Sequence, residues 1–261
     1  MPVAEVRGAR IAYDDTGGSG PPVILAHGFL MDRSMFDPQV AALSATHRVI
    51  SWDERGFGDT DYDSEPFTYW DSAADCLGLL DHLGIERAVV GGMSQGGFVS
   101  LRVALTAPAR VRGLILIDTQ AGQEDPEVLP LYQGMLDEWV ANGPSDELAA
   151  TIAGLILGEE ALSASYIAKW KARPKEALGP PGATLMTRDT VEDRLGEITA
   201  PTLIVHGTAD AAISMDKAEQ LRDGLPNAEL LVVDGGTHAA NMTHPEVVNP
   251  AIAAFLAALP A

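Results

Sequence analysis

Ser94 stands in Gly92-Met93-Ser94-Gln95-Gly96, between a short β-branched run (Ala88-Val89-Val90) and an apolar-periodic stretch (Phe98, Leu101, Leu105) that stops at Ala107-Pro108. That pattern reads as strand, sharp turn and helix. Gly-x-Ser-x-Gly at such a turn is the nucleophile-elbow pattern. The serine at the apex takes a strained backbone, and the residues two positions either side must be nearly bare. In a chain with 26 glycines three matching letters are a weak signal; the strand before and the helix after give the motif its context. A serine hydroxyl is a poor nucleophile at neutral pH. It needs a base within hydrogen-bond reach and a third group to orient that base. Two later strand ends offer such groups, Asp210 after one and His238 after the next. Asp118, at the end of an earlier strand, is a rival acid, and His244, just before Pro245, a rival base. The chemistry on offer is nucleophilic acyl transfer.

The elements that must position these residues alternate. Strands are expected at 10–13, 22–26, 48–52, the run 88–90 that ends in two glycines, 111–117, 201–206 and 228–233, with helices at 35–43, 70–83, from 98 to the stop at Pro108, 215–225 and 245–259. Strands that are apolar along their whole length imply a mostly parallel sheet covered on both faces, with ligands bound outside the carboxyl ends of the strands. His27-Gly28-Phe29, Ser94 and Asp118 all fall at such ends. From 119 to 195 the rhythm changes to helical segments at 126–142, 145–157 and 160–173, a break at Gly179-Pro180-Pro181-Gly182, and a last segment at 183–195. This stretch reads as an all-helical insertion, because one crossover does not need so many residues. The division is a core of 1–118 and 196–261 with a cap of 119–195.

Composition narrows the partners. Of 261 residues, 46% are hydrophobic and 21% charged, which is ordinary for a globular chain with a sizeable core. The formal net charge of −20 repels nucleic acid and anionic membrane surfaces, and makes strongly anionic substrates less favourable. The single cysteine, Cys76, lies in an apolar helical stretch and reads as a buried thiol. No apolar run approaches membrane-spanning length and no signal-type apolar region opens the chain, so a cytoplasmic protein is the expectation. There is no His-Glu-x-x-His, paired Cys-x-x-Cys or P-loop, so neither a metal nor a cofactor is expected.

The order Ser94, Asp210, His238 joins a wider set of motifs: His27-Gly28-Phe29, Asp53-x-Arg55-Gly56-x-Gly58, Gly92-Met93-Ser94-Gln95-Gly96, His206-Gly207-Thr208-Ala209-Asp210 and Gly236-Thr237-His238. With these the chain resembles the α/β-hydrolase superfamily over nearly its whole length, and is most similar to small bacterial serine esterases and 3-oxoadipate enol-lactonase-like proteins. The resemblance implies an α/β-hydrolase fold: a mostly parallel eight-stranded sheet flanked by helices, with a helical cap insertion. It implies Ser94 as nucleophile, His238 as base and Asp210 as acid. It favours Asp210 over Asp118, since the run ending in Asp210 matches the commoner arrangement; Asp118 and His27 are then structural. It also implies an oxyanion hole from the backbone N–H groups of Phe29 and Gln95.

The function expected is hydrolysis of a small-molecule carboxylic ester or lactone through an acyl-enzyme. Two alternatives are a cofactor-free perhydrolase or haloperoxidase-like activity and a ligand sensor that retains a slow hydrolase site. A mostly apolar pocket is expected, with Leu30, Met93, Trp139, Trp170 and Met186 as substrate contacts. No lysine or arginine is placed by a motif to receive a substrate carboxylate.

Overall fold

Eight strands form one sheet in the computed structural model, which describes residues 2–158 and 160–260. Met1 and Ala261, at the ends of the expected core, and one residue of the insertion, Glu159, lie outside the described residues. The strands are β1 (Val3–Val6), β2 (Ala9–Asp15), β3 (Pro22–Ala26), β4 (Arg48–Trp52), β5 (Ala88–Met93), β6 (Val111–Ile117), β7 (Thr202–Gly207) and β8 (Ala228–Val233). They lie in the order β1-β2-β4-β3-β5-β6-β7-β8. β1 pairs antiparallel with β2 and β2 with β4, and every other pair is parallel. β1 has four residues, too few for periodicity to reveal it in the sequence.

Ten α-helices accompany the sheet among the described residues: α1 (Asp37–Leu43), α2 (Tyr69–His82), α3 (Gln95–Thr106), α4 (Leu129–Asn142), α5 (Asp146–Ile156), α6 (Glu160–Ala172), α7 (Gly179–Met186), α8 (Met215–Gly224), α9 (Ala240–Thr243) and α10 (Pro245–Ala258). Alternate strand residues serve the two faces. Ile24 and Ala26 of β3 join Leu79 of α2, Val99 of α3 and Leu221 of α8. Val23 and Leu25 join Leu43 of α1 and Ile252 of α10 on the other face. β5 and β7 are buried along their whole length, as strands covered on both sides must be.

Between β6 and β7 the described residues hold α4 to α7 and no strand. One expectation there fails. Gly179-Pro180-Pro181-Gly182 does not break the chain; it forms the first turn of α7, which ends at Met186 rather than running through 195. Prolines fit that turn because its N–H groups have no intrahelical acceptor to lose. A loop and a 3₁₀ helix, Glu192–Glu197, then lead into β7.

The parallel register brings the strand ends level: Ala26 pairs with Gly92, Met93 with Ile117 and Ile117 with Val205. Chain reversal after β5 is tight. Ser94 has φ 51° and ψ −113°, outside the regions that L-residues favour. Gly92 and Gly96 make the turn possible. A Cβ on Gly92 would overlap the Gly96 backbone, and one on Gly96 would overlap the Ala26 carbonyl and lie 3.0 Å from the His27 oxygen.

These contacts are with backbone, which cannot swing aside. Gly96→Ala should therefore cost about 3 kcal/mol or more, at the upper end of overpacking penalties. Gly134, inside α4, is the control, because a Cβ there meets nothing within 4 Å. Gly134→Ala should stabilise by ~0.5–1 kcal/mol through helix propensity. Denaturant melts of the two variants should move in opposite directions; an unmoved midpoint in Gly96→Ala would contradict the close approach.

Candidate active site

Ser94 is fixed by its backbone on three sides. Its N–H donates to the Ile117 carbonyl at 2.9 Å. Its own carbonyl accepts from the N–H of Gly97 and from the Thr119 hydroxyl at 2.7 Å. The residue is 7% exposed and lines a cavity. Gln95 follows as the first residue of α3, where no preceding helical turn supplies an acceptor for its N–H. The positive end of the helix therefore lies at Ser94.

The Gln95 side chain is held from behind. Its Nε2 donates to Glu54 Oε1 and its Oε1 accepts from the Tyr69 hydroxyl, both at 3.2 Å. All three side chains are buried. Burial pushes the Glu54 carboxyl up to about 8, although the Gln95 bond works in the opposite direction.

His27 sets the loop opposite. The Glu54 N–H donates to His27 Nε2 at 3.0 Å, so the ring proton is on Nδ1, which donates to the Gly28 carbonyl at 2.8 Å. Burial lowers the imidazole pKa and keeps it neutral in this bridging role. The loop then passes Phe29 and Leu30, the latter at φ 64°. Two side chains of α6 pin it: the Trp170 indole donates to the Leu30 carbonyl at 2.6 Å, and Lys169 Nζ pairs with Asp32 Oδ2 at 2.7 Å.

His238 follows β8. Its Nδ1 lies 2.8 Å from Asp210 Oδ2, and the Asp210 Oδ1 atom accepts from the Ala212 and Ile213 N–H groups at 2.8 and 2.9 Å. Burial works to raise the Asp210 pKa, but the charge and hydrogen bond of His238 and the two N–H donors more than offset it. Asp210 therefore keeps its charge, and His238 carries a proton on Nδ1 and a lone pair on Nε2. Burial works to lower the His238 pKa; the Asp210 carboxylate, with Asp118 and Glu124 further off, raises it overall. Ser94 and His238 line the same cavity.

Asp118 behaves differently. Its Oδ1 accepts from the Gly207 N–H and its Oδ2 from the Ala240 N–H, both at 2.9 Å. It thereby ties the end of β6 to β7 and to the start of α9, just after His238. Full burial and repulsion from Asp210 push its pKa well up. Of the two aspartates, the one bonded to His238 is the one held in its charged form. His244 bonds Thr243 and is not part of this cavity's lining.

Asp118, His206 and Asp210 bring ligand-type atoms within 4.8 Å of one another. The carboxylates are already engaged by four backbone N–H groups and His238, and His206 Nε2 donates to the Ile213 carbonyl at 2.9 Å, while the buried His206 Nδ1 has no hydrogen-bond partner among the described residues. The cluster serves as an anchor for three strand ends.

The cavity, about 130 Å³, is mostly apolar. Leu30, Trp139 and Met186 line it, as do Phe29, Phe98 and Ile156. Two expected contacts do not. Met93 is buried below the elbow, with its sulfur where a Gly28 Cβ would go, and Trp170 is turned toward Leu30 and packs edge-on to Trp139 at 5.9 Å. Glu124 and Tyr132 bring polar groups to the apolar wall, and no sequence motif marks either.

A sequence model of the alpha/beta hydrolase fold family matches residues 21–245, and the chain belongs to that family. A protein of Azorhizobium caulinodans that carries the name carbamate hydrolase RutD is 29% identical, covering 98% of each chain. A non-heme chloroperoxidase of Streptomyces lividans is 30% identical over 95% of this chain and 96% of its own. Among solved structures, a thermophilic esterase from Thermogutta terrifontis superposes with a TM-score of 0.88 at 29% identity, covering 98% of this chain and 97% of that one. The enol-lactonase from Burkholderia xenovorans LB400 gives 0.90 at 26%, covering 98% and 100%. No helix among the described residues is long and apolar enough to cross a membrane.

The Glu54 site makes a prediction about stability. The unfolded chain releases this proton near 4.5 and the folded chain near about 8. The native state therefore loses stability as pH rises through that window and no further above it. Glu54→Gln keeps the shape and removes the proton. Its melting temperature should fall less across the window than that of the unmodified protein. Parallel falls would show that Glu54 does not titrate there.

Proposed function

We propose that this protein is a serine hydrolase of carboxylic esters, lactones included, working through an acyl-enzyme. The observation that carries the reading is the meeting of Ser94 and His238 on one apolar cavity, with His238 Nδ1 bonded to a charged Asp210 at 2.8 Å. The esterase and enol-lactonase likenesses support the same reading.

In the first half-reaction Ser94 Oγ adds to the substrate carbonyl and its proton passes to His238 Nε2. The Phe29 and Gln95 N–H groups receive the oxyanion, where preorganised donors stabilise developing charge without reorganising. The tetrahedral species collapses, the C–O bond to the leaving alcohol breaks, and His238 returns the proton to that oxygen. In the second half-reaction water gives a proton to His238 and its oxygen adds to the acyl carbon; collapse breaks the bond to Ser94 Oγ, which takes the proton back from His238, and releases the acid. Asp210 holds the imidazole tautomer throughout. Segment 119–195 acts as the cap: it roofs the cavity and restricts water to the second step.

A second reading shares the acyl-enzyme but lets hydrogen peroxide replace water, giving a peracid. The likeness to a non-heme chloroperoxidase favours it as an accompanying activity. Added peroxide should then divert product from acid to peracid without changing the rate of alcohol release.

Ser94→Ala should abolish turnover of p-nitrophenyl butyrate with an unchanged melting temperature. Asp210→Asn should lower kcat by about 10⁴-fold, through the wrong imidazole tautomer. Asp118→Asn should lose less in kcat and more in stability, since its hydrogen bonds join strand ends. Steady-state kinetics on folded variants check the order; a larger kcat loss in Asp118→Asn would reassign the acid.

A further inference from the structure

The acyl cavity carries one carboxylate on a wall that is otherwise mostly apolar. Glu124 lines it, with its side chain 11% exposed, and pairs through Oε1 with Arg188 Nη2 at 2.8 Å. Among the described residues no donor reaches Glu124 Oε2. Arg188 lies one layer behind the wall, with its side chain 2% exposed. Its Nε donates to the Gly122 carbonyl at 3.1 Å, its Nη1 to the Leu185 carbonyl at 3.0 Å, and its guanidinium stacks over the Phe98 ring at 4.5 Å. Phe98 and Leu185 are themselves cavity lining.

The cation behind this wall is thus already paired, by three hydrogen bonds and a ring contact. A substrate carboxylate entering here meets the Glu124 charge first and reaches Arg188 only by displacing it. Bidentate pairing of arginine with carboxylate makes Arg188 a ready receptor once Glu124 is gone. We propose that Glu124 is a specificity-determining residue that restricts this pocket to uncharged acyl groups, by presenting a like charge to anionic ones and by occupying Arg188. The inference rests on the ester-hydrolase reading, which it deepens by naming the substrate class.

The overall charge of −20 also repels anions, but over long range and with screening by salt. A charge on a cavity wall is screened far less. The test therefore compares kcat/KM for p-nitrophenyl hexanoate and mono-p-nitrophenyl adipate, acyl groups of equal length, at high salt. The unmodified protein should favour the neutral ester by about tenfold or more, because desolvated like charges exclude one another strongly. Glu124→Gln keeps the side-chain shape and the acceptor for Arg188. Glu124→Ala opens the way to the guanidinium. Both should raise the adipate-to-hexanoate ratio about tenfold or more, and Glu124→Ala combined with Arg188→Met should lose that gain. Circular dichroism establishes that each variant is folded. If Glu124→Ala does not fold, the shape-conserving Glu124→Gln and the preference of the unmodified protein still decide.

Comparable rates on both esters in the unmodified protein, or an unmoved ratio in folded variants, would overturn the proposal. Hexanoate turnover that survives Ser94→Ala would instead overturn the serine-hydrolase reading, so the two failures are distinct.

Discussion

The close approach of the β5–α3 turn to the end of β3 is the constraint on which the rest of the molecule depends. Ser94 can hold φ 51° at the apex only because Gly92 and Gly96 let backbone meet backbone there. That turn does three things together. It brings the serine to the cavity, sets the N-terminus of α3 at Ser94, and places Gln95 where Glu54 and Tyr69 can hold it. Local strain of this kind survives where surrounding structure over-determines it. Here the Ile117 carbonyl, the Gly97 N–H and the Thr119 hydroxyl do so.

The electrostatics follow from where the strands end. Asp118 and Asp210 share one buried region and repel each other, so their environments divide the charge between them. Asp210 receives two N–H donors and a hydrogen bond from an imidazole; among the described residues Asp118 receives two N–H donors and no imidazole hydrogen bond, and is pushed toward its neutral form. The same buried cluster that joins β6, β7 and the segment after β8 thereby leaves the carboxylate bonded to His238 as the one held in its charged form.

Much of this was legible in the sequence for a physical reason. Strands buried on both faces must be apolar throughout, so β3 and β5 to β7 declare themselves, and the residues just past them, Ser94, Asp118 and Asp210, are placed by the parallel register alone. The distinction between Asp118 and Asp210 was legible only through the run His206-Gly207-Thr208-Ala209-Asp210, because what separates them is a set of N–H donors from distant segments. The cap was least legible. Trp170 looked like a pocket residue, since a large aromatic on a helix gives no sign of its direction; its indole is spent on the Leu30 carbonyl, 140 residues away in sequence. The Glu124–Arg188 pair spans 64 residues and leaves no periodicity. Gly179-Pro180-Pro181-Gly182 misled because prolines mark a helix's first turn as readily as its end.

Activation of Ser94 by His238, as proposed, is read out by covalent labelling. Diethyl p-nitrophenyl phosphate should add one diethylphosphoryl group per chain, located by peptide mass spectrometry on Ser94. His238→Ala should slow the labelling by several orders of magnitude while the protein stays folded. Label on another residue, or a Ser94 labelling rate untouched by His238→Ala, would contradict the account.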